Sequence, residues 1–249
     1  MRANYHTHSR WCKHGTGEIE DYLEVAVAHG IEEIAITEHV PHKDNHDKWR
    51  LQWEEFPAFD AALNRAIAAY QGKIRIIKGF ECEYYPEAVE TYRMLQEKYG
   101  YELLLLGQHC NAADRRIDYF LSKTEREMQL YADEVCAGLQ TGLFRFLAHP
   151  DLALLGYPHV WDKHCENMMR QIFACCEQLD IPVEINANGA RDDRGYPNRD
   201  AFLLSKEYRL RYLINADAHQ PEHLIGIGVE KAERLARELG IQPMEFLER

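Results

Sequence analysis

His6 and His8 stand two apart in NYHTH, and Asp217 and His219 repeat that spacing in NADAH near the other end of the chain. Between them, short apolar runs end repeatedly in a residue that can bind a metal or move a proton. His39 closes IAITEH, Glu81 closes RIIKGFE, His109 closes LLLLGQH, His149 closes RFLAH and Asn186 closes VEIN. In an extended chain residues i and i+2 point to one side, so His6 and His8 can face one ion. His14, in WCKHGTG, follows closely. Imidazoles mixed with a few carboxylates suit zinc, iron or manganese, according to availability and geometry. An isolated carboxylate ending an apolar run, as Glu81 does, is costly to bury unless it is paired or metal-bound. Glu83 is the competing carboxylate and is expected beside the site or exposed.

Residues so far apart meet only if the runs that carry them share a direction. Runs rich in Ile, Leu and Val, separated by stretches of helical periodicity, read as buried parallel strands joined by crossover helices. Their C-terminal ends then gather on one face, where a ring of imidazoles and carboxylates forms a metal site. Ile19, Tyr22, Leu23 and Ala26 share one face of a helix over 17–29, and Phe59, Ala62, Leu63, Ala66, Ile67 and Tyr70 share a second. Further helices are expected near 86–98, 124–141, 162–179, 198–207, 229–239 and 242–248. Strands are expected near 74–81, 102–108, 143–148, 182–186 and 211–216. Two long strand-end loops, 40–54 and 187–198, are placed to cover a pocket.

The 249 residues suit a single domain spanning 1–249 and closed as one α/β barrel, and nothing marks a linker. No apolar run approaches ~18 residues, so no transmembrane helix is expected. The N-terminus has no signal-peptide core, which points to a cytoplasmic protein. The 7 cysteines show no C-x-x-C spacing and read as reduced, buried thiols. A net charge of −12 repels polyanions and makes nucleic acid an unfavoured partner, while a small phosphorylated substrate drawn to a metal cluster fits. His29 suits a helix C-terminus. His42, His46, His159, His164 and His223 read as solvated, with His42 and His223 the candidates among them for proton transfer.

The pieces HTHSRWCKHGTG, ITEH, GFE, GQH, AHPD, EINANG and NADAH, in this order, resemble the PHP (polymerase and histidinol phosphatase) family, particularly its histidinol-phosphatase-like branch. The resemblance runs from Asn4 to about Gly240. It implies a distorted TIM-like (β/α)7 barrel with two or three divalent ions (Zn, Mn or Fe) at the strand C-terminal face. By that resemblance His6, His8, Glu81 and Asp217 would hold one ion. Glu81 would bridge to a second ion on His109 and His149, and His14, His39 and His219 would hold the third. Glu81, Asp217 and His219 would carry catalysis. Gly15 stands where relatives commonly have alanine, and GQH replaces a frequent small-residue-Val-His sequence; neither departure removes a ligand.

The implied activity is metal-dependent hydrolysis of a small phosphate monoester, histidinol phosphate first, by a hydroxide bridging the ions. Arg191 and Arg194 are candidates to grip phosphate, because guanidinium groups present paired donors. The alternative for both is a surface pair with Asp192 and Asp193. Trp11, Tyr84 and Tyr157 are candidates to shape the pocket. Two other readings stand beside this one: a nucleotide phosphatase or nuclease on the same scaffold, and a metal-binding regulatory protein without turnover.

Overall fold

Ile34, Ala35 and Ile36 are fully buried at the centre of β2 (Glu33–Ile36). In the computed structural model, which describes residues 1–158 and 160–248, β2 pairs in parallel with β1 (Ala3–Asn4) and with β3 (Arg75–Cys82). β3 continues in parallel to β4 (Leu103–Leu106). A second ladder pairs β5 (Val183–Asn186) with β6 (Tyr212–Asn215), again in parallel. His159, expected to be solvated, lies outside the described residues.

Helices α1 (Ile19–Ala28), α2 (Phe56–Ala69), α3 (Val89–Tyr99), α4 (Glu125–Gln140), α5 (Lys163–Leu179), α6 (Ala187–Arg191), α7 (Arg199–Ser205) and α8 (Ile227–Leu239) fill the connections. The expected stripe of α1, Ile19, Tyr22, Leu23 and Ala26, is the one buried. α4 starts on a capping box: Thr124 accepts from the Glu127 N–H while Glu127 reaches back to the N-cap backbone. Asp162 caps α5 in a similar way by accepting from the amides of His164 and Cys165. Each such cap is worth about 1 kcal/mol. The two helices then bury Met128, Tyr131, Ala132, Val135 and Leu139 against Met168, Met169, Ile172 and Cys176.

Segment 143–148, expected as a strand, is reduced to isolated bridges at Leu147. Its backbone still bonds both neighbours. The Arg145 and Ala148 amides donate to Leu104 and Leu106, while the Leu147 amide donates to Pro182 and the Glu184 amide to Leu147. The chain bends at 145–146 and at 148–149, and His149 has φ 27°, so no uninterrupted ladder can form. At the other edge Thr7 bridges Ala218 in parallel. The architecture is an α/β fold with a curled parallel sheet.

Strand residues alternate between two cores. One set packs outward under the helices, while Ala3, Tyr5, Ala35, Ile77, Leu103, Leu105, Phe146, Ala148 and Leu213 pack inside the curl. Glu81 lies four residues past Ile77 along β3, so it shares the inner face at the strand's C-terminal end. Met244, Phe246 and Leu247 pack against this inner core. The helix expected over 242–248 is absent for that reason. The Met244 amide donates to the Tyr212 carbonyl (2.8 Å) and the Leu247 amide to the Tyr5 hydroxyl (3.0 Å), which pins the segment in an irregular course. Among the described residues no helix is long and apolar enough to cross a membrane. The cysteines are unpaired and, except for Cys110, buried.

Candidate metal centre

Glu81 is 1% exposed, and its two oxygens face two different sets of imidazoles. Oε2 lies 3.4 Å from His6 Nε2, 3.3 Å from His8 Nε2 and 3.0 Å from His39 Nδ1. Oε1 lies 3.3 Å from His109 Nε2 and 2.9 Å from His149 Nε2. Asp217 Oδ1 lies 3.5 Å from His6 Nε2 and 3.4 Å from His8 Nε2. His14 and His219 complete the group with their Nε2 atoms 3.0 Å apart. The fold therefore brings together every position the sequence nominated for metal. His39 sits between two of the implied groups, its ring 4.5 Å from His8 and 5.2 Å from His14.

Gly107, the first residue of GQH, makes room for the central carboxylate. A Cβ there would collide with Glu81 Oε1, so a larger residue would displace it.

Hydrogen bonds at the rim set which ring nitrogen faces inward. Nδ1 of His14 meets the Cys12 carbonyl (2.9 Å), and Nδ1 of His219 meets that of Asp217 (3.0 Å). Nδ1 of His109 meets Glu83 Oε1 (2.9 Å), and Nδ1 of His6 meets Glu184 Oε1 (3.0 Å). An Nδ1 that donates leaves Nε2 with a lone pair, and in all four rings Nε2 is the inward atom. His14 and His219 thus present lone pairs to each other at 3.0 Å, which is repulsive without a cation or proton between them.

This donor set fits divalent ions. His6 Nε2, His8 Nε2 and His39 Nδ1 are buried without a hydrogen-bond partner. An unsatisfied buried polar atom costs about 1–3 kcal/mol, so the centre is costly to assemble unless something accepts those lone pairs. Ligand atoms within each of the groups His6/His8/Glu81, His6/His149/Asp217 and His8/His39/His219 lie within 4.8 Å of one another. Burial pushes Glu81 upward, but His109 and His6 hold it well below the usual carboxylate range. Asp217 behaves the same way beneath His6 and His8. Burial drives His39 down to about 3 and His219 well below its ordinary value, so both rings are neutral; against the same burial the neighbouring carboxylates raise His6 and push His8 up to about 9 and His109 up to about 10, so on those rings a metal must displace a proton.

Glu83 is buried, not exposed, and stands behind His109. Its carboxylate takes Arg50 Nη1 at 3.0 Å and Nη2 at 2.8 Å. Arg50 also donates to Asp47 and to the Val40 carbonyl, which ties loop 40–54 to the centre. Nothing in the sequence pattern singled out Arg50. Arg50→Leu leaves Glu83 buried without its counter-charge, and urea unfolding should show a loss of about 3–5 kcal/mol. His42, expected to be solvated, is buried 3.6 Å from Glu83 Oε2 and against Tyr85, because Arg50 folds the loop inward. His46 pairs with Asp44, His164 with Glu125, and His223 accepts from Arg191.

Arg191 and Arg194 both pair with Asp192, at 2.8 and 2.9 Å. Tyr196, two residues past Arg194, has its ring 6.1 Å from that of His149. Loop 187–198 begins with the short helix α6, which the sequence reading did not expect; the Asn186 side chain starts it by accepting from the Gly189 amide. A cavity of about 640 Å³ opens beside the centre, with His14, His39 and His109 on its floor and Trp49, Tyr85 and Phe120 on its walls. Phe120 stacks on His109 at 5.4 Å. The aromatic residues nominated from sequence pack elsewhere: Trp11 on Phe59, Tyr84 against Gly138 of α4, and Tyr157 on Asp162.

The chain matches the PHP domain over residues 4–188. It is 27% identical to a probable histidinol-phosphatase of Schizosaccharomyces pombe, over 100% of this chain and 90% of that protein. It is 22% identical to a probable histidinol-phosphatase of Deinococcus radiodurans, over 98% and 96% of the two chains. Its fold is similar to the crystal structure of histidinol phosphate phosphatase from Lactococcus lactis complexed with zinc, L-histidinol and phosphate. There the TM-score is 0.78 at 18% identity, covering 98% of this chain and 95% of that one.

Proposed function

This chain belongs to the PHP domain family, and on that premise we propose that it is a metal-dependent phosphoric monoester hydrolase of the histidinol-phosphatase type, one domain over 1–249. The observation that carries the reading is Glu81, one carboxylate with each oxygen turned to a separate set of inward ring nitrogens. A bridging carboxylate needs that arrangement, since each oxygen can serve a different ion. We also read 145–148 as the reduced fifth member of a (β/α)7 barrel, because its backbone alternates bonds between β4 and β5.

Bound there, two or three divalent ions would supply Lewis-acid charge for phosphoryl oxygens and hydroxide from water near neutral pH. His6, His8, Glu81 and Asp217 would hold one ion, His109 and His149 the second with Glu81, and His14, His39 and His219 the third. The chain's own part is positional. Glu81 and Asp217 offset part of the cationic charge and leave a surplus that a phosphate dianion matches. His219, its Nδ1 held by the Asp217 carbonyl, keeps Nε2 turned to the centre. Tyr196 stands beside His149, and Arg194, two residues before it in loop 187–198, is the candidate to receive a phosphate oxygen on leaving Asp192. Trp49, Tyr85 and Phe120 enclose space for a small organic leaving group.

The protein loaded with Mn²⁺ or Zn²⁺ should hydrolyse histidinol phosphate with a higher kcat/KM than sugar or nucleotide monoesters. Equal rates across the esters would remove the histidinol assignment and leave the phosphatase, whereas faster cleavage of oligonucleotides would replace both by a nuclease. No release of phosphate from any ester would favour a regulatory metal protein. Single-turnover hydrolysis in ¹⁸O-water should place the label directly in phosphate; a trapped phosphorylated side chain would contradict direct attack by water.

A further inference from the structure

Glu184 is fully buried inside the curl, in the middle of β5, and no metal-ligand assignment includes it. Its two oxygens accept from four donors. Oε1 takes His6 Nδ1 and Asn215 Nδ2, each at 3.0 Å. Oε2 takes the His149 amide at 3.0 Å and Asn186 Nδ2 at 2.8 Å. All four approach as donors, so only a carboxylate, an acceptor on both oxygens, satisfies them together.

The partners matter more than their number. His6 Nδ1 must carry the proton to meet Glu184, which leaves Nε2 as the lone-pair atom aimed at Glu81 and Asp217. The Asn186 amide also donates to Asp217 Oδ2 (3.1 Å), as does Asn188 (3.1 Å), so Oδ1 is the oxygen left facing His6 and His8. The third contact holds the His149 backbone at its unusual φ of 27° while Nε2 meets Glu81 Oε1. One side chain thus orients three residues that converge on the centre.

We infer that Glu184 is the positioning residue of the metal centre: it fixes the His6 tautomer and, through Asn186 and the His149 amide, aims Asp217 and His149. This inference rests on the metal-centre reading above. Glu184 also contributes a negative charge beneath the ions that the ligand set alone does not count. Glu184→Gln keeps the volume but turns an NH2 group toward donors, either at His6 and Asn215 or at Asn186 and the His149 amide. Glu184→Asp keeps the charge but withdraws it by one methylene.

The test is metal titration of the intact protein, with elemental analysis and the visible spectrum of the Co²⁺-loaded form, alongside circular dichroism to monitor folding. Glu184→Gln should weaken metal binding by about 10–100-fold and change the Co²⁺ spectrum. Glu184→Asp should recover part of the affinity, and it carries the same test if the Gln variant does not fold. Folded variants with wild-type metal content and an unchanged Co²⁺ spectrum overturn the positioning role. Wild-type protein that binds no transition metal overturns the centre itself, so the two failures are distinguishable.

Discussion

Glu81→Gln should lower kcat/KM by about 10³-fold or more and remove more than one ion per chain. The substitution keeps shape and volume, yet an amide has one oxygen where the carboxylate has two. If that oxygen faces His6, His8 and His39, the NH2 group points at His109 and His149; the opposite rotamer exchanges the two sets. Either way one cluster of lone pairs meets a donor that cannot bind metal, and the other meets a neutral oxygen in place of the carboxylate charge, so both ion positions are weakened. His14→Ala is the matching control: its ring lies at the rim against His219 and His39, away from Glu81, and its loss should cost one ion. Elemental analysis showing Glu81→Gln with a full metal complement, or with the same single loss as His14→Ala, would remove the bridging role.

Most residues of this centre were legible because they end apolar runs, and parallel strands deliver run ends to one face, whereas His14 in WCKHGTG took its place from the family resemblance. His109 after LLLLGQ and Asp217 after LINA follow that rule directly. Of the carboxylates behind them, Glu83 was read as a competitor beside the site or exposed, but Glu184 was not read, although the same argument applies. Glu184 lies between buried Val183 and Ile185, and a charge inside an apolar run must be paired for the reason that singled out Glu81. It escaped because Asn186, closing the run, drew attention to the strand end. Arg50 left no comparable signal. An arginine between tryptophans in a long loop looks like surface, and only the fold reveals that it is buried against Glu83. The helix expected at 242–248 failed differently: its residues are apolar enough for a helical face, but the strands above them left an inner core to close. Local periodicity does not report that tertiary demand.

Removing the metals should abolish hydrolysis and lower the melting temperature on the order of 10 °C. An ion held at 1,000 times its Kd stabilises the folded state by about 4 kcal/mol. For a chain of this length each kcal/mol moves the midpoint by about 2–4 °C. The structural basis lies in the inward atoms of His6, His8 and His39, which have no hydrogen-bond partner of their own. In the stripped protein water must enter, or the rings must turn away from the bonds that Glu184 and other rim groups now impose. The neutral rings of His39 and His219 favour Zn²⁺ or Fe²⁺, and the mixed set with Glu81 and Asp217 also admits Mn²⁺, so these ions should restore both the midpoint and turnover. Mg²⁺, which demands oxygen ligands in near-octahedral geometry, should restore neither. Differential scanning calorimetry of chelated and reloaded protein, run with a phosphate-release assay on the same samples, measures both effects. A stripped protein with an unshifted midpoint and intact turnover would show that these histidines pack without metal; recovery with Mg²⁺ alone would mean that the carboxylates, not the imidazoles, select the ion.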